Sequence, residues 1–341
     1  MALKKPSFAI LTPVWNGLPY IKECVDSVLL QDYQDWELII SDNGSTDKTR
    51  EYLDTLTDPR IRVYKQEKNL GIAGNLNFLL AKVFAPVAHI LCADDYFYPG
   101  AIGKILHEWE SRPANTAFIG FNWKKVIEHS IQARYSHSLL PKKLDPQKSQ
   151  LAFFLFGNMP GNLSNVTCDV EIVKATGGFN VGLKQACDFE IWARITRSKS
   201  MILSDTDTVY VRMHEHAATN YLNKQGRLFA EHIAIYEKLV EQLSTYIDRK
   251  KLIDYFNIEM CSFHLRHAIK AIFLGELANI KMYLGTESSI FWPPWKRFFV
   301  CLPFALYETG RMHLLVSMAR KLWNENQELG PLPKSTTNVV V

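Results

Sequence analysis

The sequence predicts an α/β fold in which a mostly parallel sheet is flanked by helices and followed by a helical C-terminal region. In the first part of the chain, short β-rich apolar runs alternate with amphipathic helical segments, and polar residues follow several of these runs. After His216 the pattern changes to helical spacing, with Phe229, Ile233, Leu239 and Leu243 near one face. The two patterns together predict a sheet-based part and a helical part.

Four apolar runs are predicted to be the strands of the first part. They are Ser7–Pro13, Trp36–Asp42, Arg60–Gln66 and Val87–Ala93. A helix is expected near Ala101–Glu110, and another opens near Asp188 after a Gly-Gly turn. The polar, basic stretch from Lys124 to Gln150 predicts a loop or insertion. Strands separated by helices pair in parallel, so the runs predict a parallel sheet.

Composition excludes several classes of protein. The chain is 47% hydrophobic and 22% charged, which is typical of a globular protein. Its net charge of +4 is too small to indicate a nucleic-acid partner. The six cysteines form no Cys-x-x-Cys pair, which favours free thiols in a reducing compartment over a zinc site. Because we identify neither a secretory signal nor an apolar run of about 18 residues, we expect a cytoplasmic protein.

Polar residues gather where the predicted strands end. They are Thr12, Trp15 and Asn16 after the first strand, Asp42 and Asn43 after the second, and Asp94 and Asp95 after the fourth. In open α/β sheets ligands bind outside the carboxyl ends of the strands, so this convergence predicts a binding site. Plainer interpretations exist for each group. Asp42-Asn43-Gly44 is typical of a turn, Asp94-Asp95 can be a solvated turn, and Trp15 can pack in the core.

Several segments resemble the family 2 glycosyltransferases, which have the GT-A fold. They are "FAILTPVWNGLPYIKECVDSVLLQDYQDWELIISDNGSTDKT", "NLGIAGNLN", "ILCADDYFYPG" and "GGFNVGLKQACDFEIWARI". The resemblance covers roughly residues 7–214 and implies a nucleotide-sugar-binding half at residues 1–110 and an acceptor-binding half at 111–220. Residues 221–325 are expected to form a helical region without a family signature, and residues 326–341 a disordered tail.

The resemblance also implies a role for each matching residue. The residues expected to bind the nucleotide sugar are Thr12, Pro13, Trp15, Asn16, Asp42, Asn43, Asn75 and Asp94. Among these, Asp42 is expected to bond the base and Asp94 to lie near the ribose. Asp95 and His214 are expected to hold Mg²⁺ or Mn²⁺, which would neutralise the diphosphate. Asp188 is expected to be the catalytic base, at the start of a helix.

Two departures from the family pattern and two alternative roles stay open. Cys92 stands where the family often has an acid, and Leu76 stands where it often has an arginine. The cation that meets the phosphate charge is therefore in question, and Arg212 is one candidate. Asp188 could simply cap its helix, a role that does not exclude catalysis, and His214 could be a structural or surface histidine.

The expected function is transfer of a sugar from a UDP- or dTDP-sugar to a hydroxyl of a glycan or lipid-linked acceptor, with inversion, in cell-envelope polysaccharide biosynthesis. One alternative is a sugar-phosphate nucleotidyltransferase, but "ILTPVWNGLPY" lacks a basic, glycine-rich phosphate loop. The other is a non-catalytic nucleotide-sugar-binding module, against which the four acids at Asp42, Asp94, Asp95 and Asp188 argue.

Residues 289–308 have two open interpretations. Trp292, Trp295, Phe298 and Phe299 surround the basic pair Lys296-Arg297, a mixture found at membrane surfaces. Prolines interrupt the segment, so a buried core segment is the alternative to peripheral contact with a membrane. A homo-oligomer is a further open prediction.

Overall fold

A computed structural model describes residues 6–127, 130–132, 142–214, 227–274 and 287–325. The chain divides into two compact units, Met1–Ser149 with Asn158–Ala217 and Gln150–Gly157 with Ala218–Val341. The division of the first unit at residue 110 stays a prediction. The grouping of residues 150–157 with the C-terminal helices had no signal in the sequence. The tail predicted at 326–341 lies outside the described residues.

Among the described residues, the first unit contains ten strands and seven α-helices, one of which continues into the second unit. The strands are β1 (Phe8–Val14), β2 (Trp36–Asp42), β3 (Ile61–Lys65), β4 (Val87–Ile90), β5 (Tyr96–Phe97), β6 (Thr116–Ile127), β7 (Ser130–Gln132), β8 (Lys143–Leu144), β9 (Val166–Asp169) and β10 (Ser200–Met213). The helices are α1 (Tyr20–Leu29), α2 (Thr49–Leu53), α3 (Gly71–Lys82), α4 (Ala101–Glu110), α5 (Pro146–Phe156), α6 (Val170–Ala175) and α7 (Cys187–Ile195). Residues 150–156 of α5 group with the second unit.

The strands form one mixed sheet in the order β3-β2-β1-β4-β9-β6-β10-β5, with β7 beside β6 and β8 beside β10. β1 is parallel to β2 and β4, and β2 is parallel to β3. The first four strands therefore end at the same edge of the sheet. β9 runs antiparallel to both β4 and β6. The predicted mostly parallel, mixed sheet flanked by helices is confirmed.

The centre of the sheet is buried because helices cover both of its faces. Every residue of β2 is buried, and β1 is buried at all positions except Pro13. Each strand contains a short apolar run, Phe8–Leu11 in β1 and Leu38–Ile40 in β2, which is why their positions could be predicted. The predicted loop at Lys124–Gln150 is partly wrong, because β6 continues to Ile127 and α5 begins at Pro146.

The imidazole of His89 lies buried in β4, beneath the edge where the acidic pair follows. Its Nδ1 is 2.8 Å from Thr167 Oγ1, and its Nε2 is 2.8 Å from the backbone oxygen of Ser164. The carbonyl can only accept, so Nε2 carries the proton and Nδ1 accepts from the threonine hydroxyl. Burial lowers the pKa of His89 to about 3, so this side chain is neutral in the folded protein.

We expect His89 to make the free energy of unfolding fall on acidification from pH 6.5 toward about pH 3. The unfolded chain takes up a proton on this imidazole near pH 6.5, whereas the folded chain does not, so each pH unit costs about 1.4 kcal/mol. Urea titrations at successive pH values measure the slope, and His89→Phe should lose this part of it. An identical pH dependence in the variant would contradict the neutral, buried assignment.

The second unit is helical, as predicted for the C-terminal region. Its helices are α8 (Arg227–Leu243), α9 (Arg249–Phe256), α10 (Ser262–Leu274), α11 (Pro294–Leu306) and α12 (Glu308–Glu325), with a π-helical turn at Asn257–Cys261 between α9 and α10. Helix α11 lies within the predicted helical region 221–325, although its bounds were not predicted, and Pro294 stands at its first position, where helices accept proline. In the described part of the chain, no helix is long and apolar enough to cross a membrane.

Candidate active site

Asn16 joins the loop after β1 to the turn after β2. Its backbone N–H donates to Ser45 Oγ at 2.8 Å, and its Oδ1 accepts from the Thr46 N–H at 2.8 Å. Asn16 has a φ of 51°, a left-handed conformation that asparagine adopts more readily than most residues. The ends of the first two strands therefore form one rim.

Asp42 ends β2 and has no exposed surface. Its Oδ1 accepts from the Ser45 N–H at 3.1 Å, and its Oδ2 accepts from Arg50 Nε at 2.6 Å. The guanidinium of Arg50 also donates to the backbone oxygen of Gln66 at 2.6 Å. Asp42 thus closes a turn, which agrees with the interpretation of Asp42-Asn43-Gly44 as a turn sequence. A direct bond from this carboxylate to a nucleotide base stays a prediction, because the carboxylate is enclosed in this conformation.

Asn43 and Asn75 connect the rim to α3. Asn43 Oδ1 accepts from the Leu70 N–H at 2.8 Å, and its Nδ2 donates to Asn69 Oδ1 at 3.0 Å. Asn75 Nδ2 donates to the backbone oxygen of Ser41 at 3.0 Å. Within the described residues, the buried Oδ1 of Asn75 has no hydrogen-bond partner. A buried acceptor without a donor is costly, so this atom is a candidate contact for a ligand.

Three other residues expected in the nucleotide pocket lie on or just after β1. Thr12 is buried, with its hydroxyl beside the Cys24 thiol, and Pro13 is half-buried. Trp15 is 54% exposed. The alternative that Trp15 packs in the core is therefore wrong, and its indole is available at the rim.

The acidic pair lies in the turn between β4 and β5. The strand ends at Ile90, three residues before the predicted end at Ala93. The chain then turns, and the Asp95 N–H donates to the backbone oxygen of Cys92 at 3.0 Å. The apolar strand is anchored in the core, and the turn carries Asp94 and Asp95 beyond it.

Two distant segments hold this turn in place. Ser164 Oγ accepts from the Cys92 N–H at 2.9 Å. Asp95 is 3% exposed, and its Oδ1 accepts from the backbone N–H of Arg212, on β10, at 2.8 Å. Burial and then the negative charge of Asp94 raise the pKa of Asp95 well above its ordinary value. The structure therefore keeps two like charges close together in a poorly solvated place.

Cys92, Asp94 and Asp95 offer three ligand atoms that lie within 4.8 Å of one another. A divalent cation would relieve the repulsion between the carboxylates, whose hard oxygens suit Mg²⁺ or Mn²⁺. Burial and the two neighbouring carboxylates raise the pKa of the Cys92 thiol, so it is a weaker ligand than the acid often found there. The residues fit a divalent cation held mainly by Asp94 and Asp95.

His214 lies beside this cluster but is not one of its three members. Its Nε2 is 3.0 Å from Asp94 Oδ2, and its ring packs on Tyr20 with the centroids 4.8 Å apart. This contact orients Asp94. Direct metal ligation by His214 stays a prediction.

Arg212 supplies a cation at the same edge. Its guanidinium pairs with Glu23 and lies over the ring of Tyr20, 4.7 Å from the centroid. Its Nε donates to the backbone oxygen of Asp94 at 3.1 Å. Arg212 thus braces the acidic turn through both its backbone and its side chain. Its contact with a phosphate stays a prediction, because Glu23 already shares its charge.

Asp188 lies in the first turn of α7 and is not its N-cap. The N-cap is Ala186, which has no capping side chain. Asp188 Oδ2 accepts from Asn158 Nδ2 at 2.8 Å, and its Oδ1 accepts from the Phe189 N–H at 2.8 Å. Burial raises the pKa of Asp188, and these two hydrogen bonds partly oppose the shift. The capping alternative is wrong, and a half-buried carboxylate is left for other chemistry.

Helix α3 is tied to the Gly-Gly turn that precedes α7. Asn77 Nδ2 donates to the backbone oxygen of Phe179 and Asn77 Oδ1 accepts from the Phe179 N–H, both at 2.8 Å. A Cβ on Gly178, which has a φ of +69°, would lie 2.5 Å from Asn77 Oδ1. The asparagine therefore links α3, which Asn43 and Asn75 join to the rim, to the segment that carries Asp188. Leu76 is fully buried, so that side chain is part of the core.

Sequence reasoning missed most of the side chains that support these groups. Arg50 donates to Asp42, Ser164 accepts from the Cys92 N–H, and Asn158 donates to Asp188. None of the three supporting residues stands at a spacing from its partner that a sequence motif would reveal. Ser164 and Asn158 lie 72 and 30 residues from their partners. The described hydrogen bonds bring Asp94, Asp95, His214 and Arg212 together, whereas they do not join Asp188 to that group.

The family model for glycosyl transferase family 2 matches residues 9–164. An uncharacterized glycosyltransferase of Rickettsia typhi is 28% identical over 222 residues, which are 63% of this chain and 66% of that protein. The Bacillus subtilis protein TuaG, which its name assigns to teichuronic acid biosynthesis as a glycosyltransferase, is 34% identical over 120 residues, or 35% of this chain and 48% of TuaG. This chain thus spans just under two thirds of the first relative and about half of the second.

Solved structures share the fold at low sequence identity. Staphylococcus aureus TarS 1–349 in complex with UDP-GlcNAc aligns with a TM-score of 0.60 at 16% identity, over 94% of this chain and 90% of that one. The mannosyltransferase PcManGT of Pyrobaculum calidifontis, in complex with GDP-Man and Mn²⁺, aligns with a TM-score of 0.52 at 15% identity, over 95% and 89%. Residues 9–164 are therefore similar to the glycosyl transferase family 2 domain, and the chain shares the GT-A fold of these solved glycosyltransferases.

Proposed function

We propose that this protein transfers a sugar from a nucleotide-diphosphate donor to a hydroxyl group of an acceptor, with inversion at the anomeric carbon. One observation carries the proposal. The first unit holds a braced pair of carboxylates, Asp94 and Asp95, suited to a divalent cation, and a second, separate carboxylate at Asp188. These are the two kinds of acidic group that such a transfer needs, one for the leaving group and one for the attacking hydroxyl.

The donor half of the site is assigned to the rim after β1 and β2 and to the acidic turn. Trp15 and Asn16 are exposed at the rim and would contact the nucleoside, and Asn75 Oδ1 would accept from it. Asp94 and Asp95 would hold Mg²⁺ or Mn²⁺. The bound cation would neutralise the negative charge that grows on the diphosphate as the bond to the sugar breaks. We take a UDP- or dTDP-sugar as the donor. TarS was solved with UDP-GlcNAc, but PcManGT was solved with GDP-Man, so the base needs a direct test.

Asp188 is the proposed general base. Its carboxylate would accept the proton of the acceptor hydroxyl while that oxygen attacks the anomeric carbon and the bond to the diphosphate oxygen breaks. The raised pKa of Asp188 makes it a better proton acceptor than an ordinary aspartate. The nucleoside diphosphate leaves with both electrons of the broken bond, and a single displacement inverts the configuration at the anomeric carbon.

The acceptor is proposed to be a glycan or a lipid-linked glycan of the cell envelope, made on the cytoplasmic side. The name of TuaG, which assigns it to teichuronic acid biosynthesis, supports this class. The test is incubation of the purified protein with each donor, Mn²⁺ and a panel of glycan acceptors. Release of nucleoside diphosphate that depends on the acceptor supports transfer, whereas pyrophosphate release from a sugar phosphate and a nucleoside triphosphate would instead identify a nucleotidyltransferase.

Replacing Asn158 with alanine should move the acidic limb of the activity profile to higher pH. The amide of Asn158 donates to Asp188 and lowers its pKa, so its loss raises that pKa further and leaves the base protonated at a pH where the wild type is active. Initial rates with the best donor across a pH series measure this. Asn158→Asp would add a charge beside Asp188 and is therefore not used. The matched control is Asn115→Ala, which makes the same change on the exposed surface. A profile that keeps its midpoint in Asn158→Ala would contradict the assignment.

A further inference from the structure

Two neighbouring helices of the second unit carry a surface that is both apolar and basic. Helices α10 and α11 pack together, and Arg266 Nε on α10 donates to the backbone oxygen of Ala305 on α11 at 3.1 Å. We define the aromatic-basic surface as the apolar and cationic side chains that these helices expose or half-expose. It consists of Trp295, Phe298, Phe299 and Leu306 from α11, Phe273 from α10, and the cations Arg266, Lys270, Lys296 and Arg297.

The apolar part of this surface is a continuous stripe. Trp295, Phe299, Leu302 and Leu306 recur at helical spacing, so they share one side of α11. Trp295 is 66% exposed, Phe299 70% and Leu306 67%, whereas Cys301 and Ala305 are buried on another side of the helix. This helix therefore has a buried face and also a second apolar face turned to solvent. The earlier alternative that the segment is a core segment is wrong for these side chains.

The stripe continues into a groove between the two helices. A cavity of about 340 Å³ is lined by Arg266, Ile269, Lys270, Phe273, Ala305 and Leu306. Phe273 is 86% exposed at its edge. Contiguous apolar surface of this kind marks an interaction site more often than scattered exposed residues do.

The charge on the surface has a single sign. The sequences of α10 and α11 contain no aspartate or glutamate, and they contain two lysines and two arginines. Lys296 Nζ lies 4.0 Å from the ring centroid of Trp292, and the guanidinium of Arg297 lies 4.7 Å from that of Phe291. The cations thus lie among the aromatic rings, as in proteins that bind at the interface of an anionic bilayer.

We propose that this surface docks on the face of a membrane that contains anionic lipid, with α11 lying in the plane of the headgroups. The aromatic side chains would enter the boundary between headgroups and acyl chains, and the four cations would pair with lipid phosphates. Helix α11 has 13 residues, so it is too short to span a bilayer and suits a flat orientation. A second copy of this chain is a poorer occupant, because a two-fold interface would set four cations against four cations.

Sedimentation with lipid vesicles tests the proposal without using the enzymatic activity. The full chain should bind vesicles of phosphatidylcholine with phosphatidylglycerol much more tightly than vesicles of phosphatidylcholine alone, and added salt should weaken the binding. Trp295→Ser with Phe299→Ser should lower the partition coefficient by about tenfold or more. Lys270→Ala and Lys296→Ala should each lower it by about fivefold on anionic vesicles.

Matched controls lie on exposed positions of the first unit. Leu30→Ser removes an apolar side chain that is 81% exposed, and Lys104→Ala removes an exposed lysine, so neither should change vesicle binding. Light scattering of the protein without lipid measures its oligomeric state, and so tests the alternative that a second copy of this chain covers the surface. Absence of binding to anionic vesicles, equal binding by all variants, or a dimer that only Trp295→Ser with Phe299→Ser dissociates would each overturn the proposal.

Discussion

Replacing Asp188 with asparagine is expected to lower the rate of sugar transfer by about 10²–10⁴-fold, the usual contribution of a positioned general base. Asparagine has the same size, its Oδ1 can still accept from the Phe189 N–H, and its Nδ2 can donate to Asn158 Oδ1 once the Asn158 amide flips, so the fold should persist. The amide cannot take a proton from an acceptor hydroxyl. Donor binding should be unchanged, because the contacts of Asp188 are separate from those of the acidic turn. Initial rates at saturating donor and acceptor measure the loss.

The control for this variant is Glu171→Gln, which removes a carboxylate from the exposed surface of α6. It should leave the rate unchanged. If Asp188→Asn retained more than about a tenth of the wild-type rate, the general base would lie elsewhere.

Replacing Asp95 with asparagine is expected to abolish the dependence of donor binding and of transfer on Mn²⁺. Asp95 is buried, so no exposed side chain nearby can take over its role as a metal ligand. An amide is a much weaker ligand for a hard divalent cation than a carboxylate. Burial and then the charge of Asp94 raise the pKa of Asp95, and the neutral amide removes both costs, so the thermal stability of the variant without metal should not fall by much. Mn²⁺ titrations monitored by calorimetry, with and without donor, measure the effect.

The matched variants separate the members of the cluster. Asp26→Asn, on the exposed face of α1, should bind metal as the wild type does. Cys92→Ser should change the affinity less than Asp95→Asn, because its protonated thiol is the weakest of the three ligands. Unaltered Mn²⁺ binding in Asp95→Asn would place the cation outside this cluster.

The arrangement of the sheet could be predicted because its central strands are buried on both faces. β1 and β2 therefore contain the short apolar runs Phe8–Leu11 and Leu38–Ile40, and the predicted strand Trp36–Asp42 has the bounds that the structure shows. The end of β4 was misplaced by three residues, since Leu91 and Ala93 are apolar but follow the strand, and Ala93 lies in the turn that the Asp95 N–H closes on Cys92. Apolar character alone does not distinguish a strand from a buried turn.

The side chains of the candidate site could be predicted, but the hydrogen bonds that hold them in place could not. That Asp94 and Asp95 leave the end of a strand follows from local pattern, and so does the position of Asp188 at the start of a helix. Their bonds to Arg212 and Asn158 depend on segments 117 and 30 residues away, which local pattern does not report. The complete burial of Asp42 behind Arg50 likewise arises from tertiary packing.

Helix α11 shows the same limit in the second unit. Its prolines indicated an interrupted segment, yet Pro294 starts the helix and Pro303 lies within it near its end. The apolar stripe is recognisable once the helix is known, but its exposure depends on which side packs against α10. Composition suggested the kind of partner, and the packing identified the side chains that would meet it.

Thermal unfolding of the wild type with UDP, dTDP, GDP and CMP, each with and without Mn²⁺, tests the central claim most directly. A ligand that binds only the folded state stabilises it by about 2.7 kcal/mol when its concentration is about 100 times Kd. We predict that one nucleoside diphosphate, UDP or dTDP, raises the midpoint only when Mn²⁺ is present, and that Asp95→Asn loses this increase. No increase with any nucleotide in the presence of Mn²⁺ would contradict the assignment of this edge of the sheet to a nucleotide sugar and its metal.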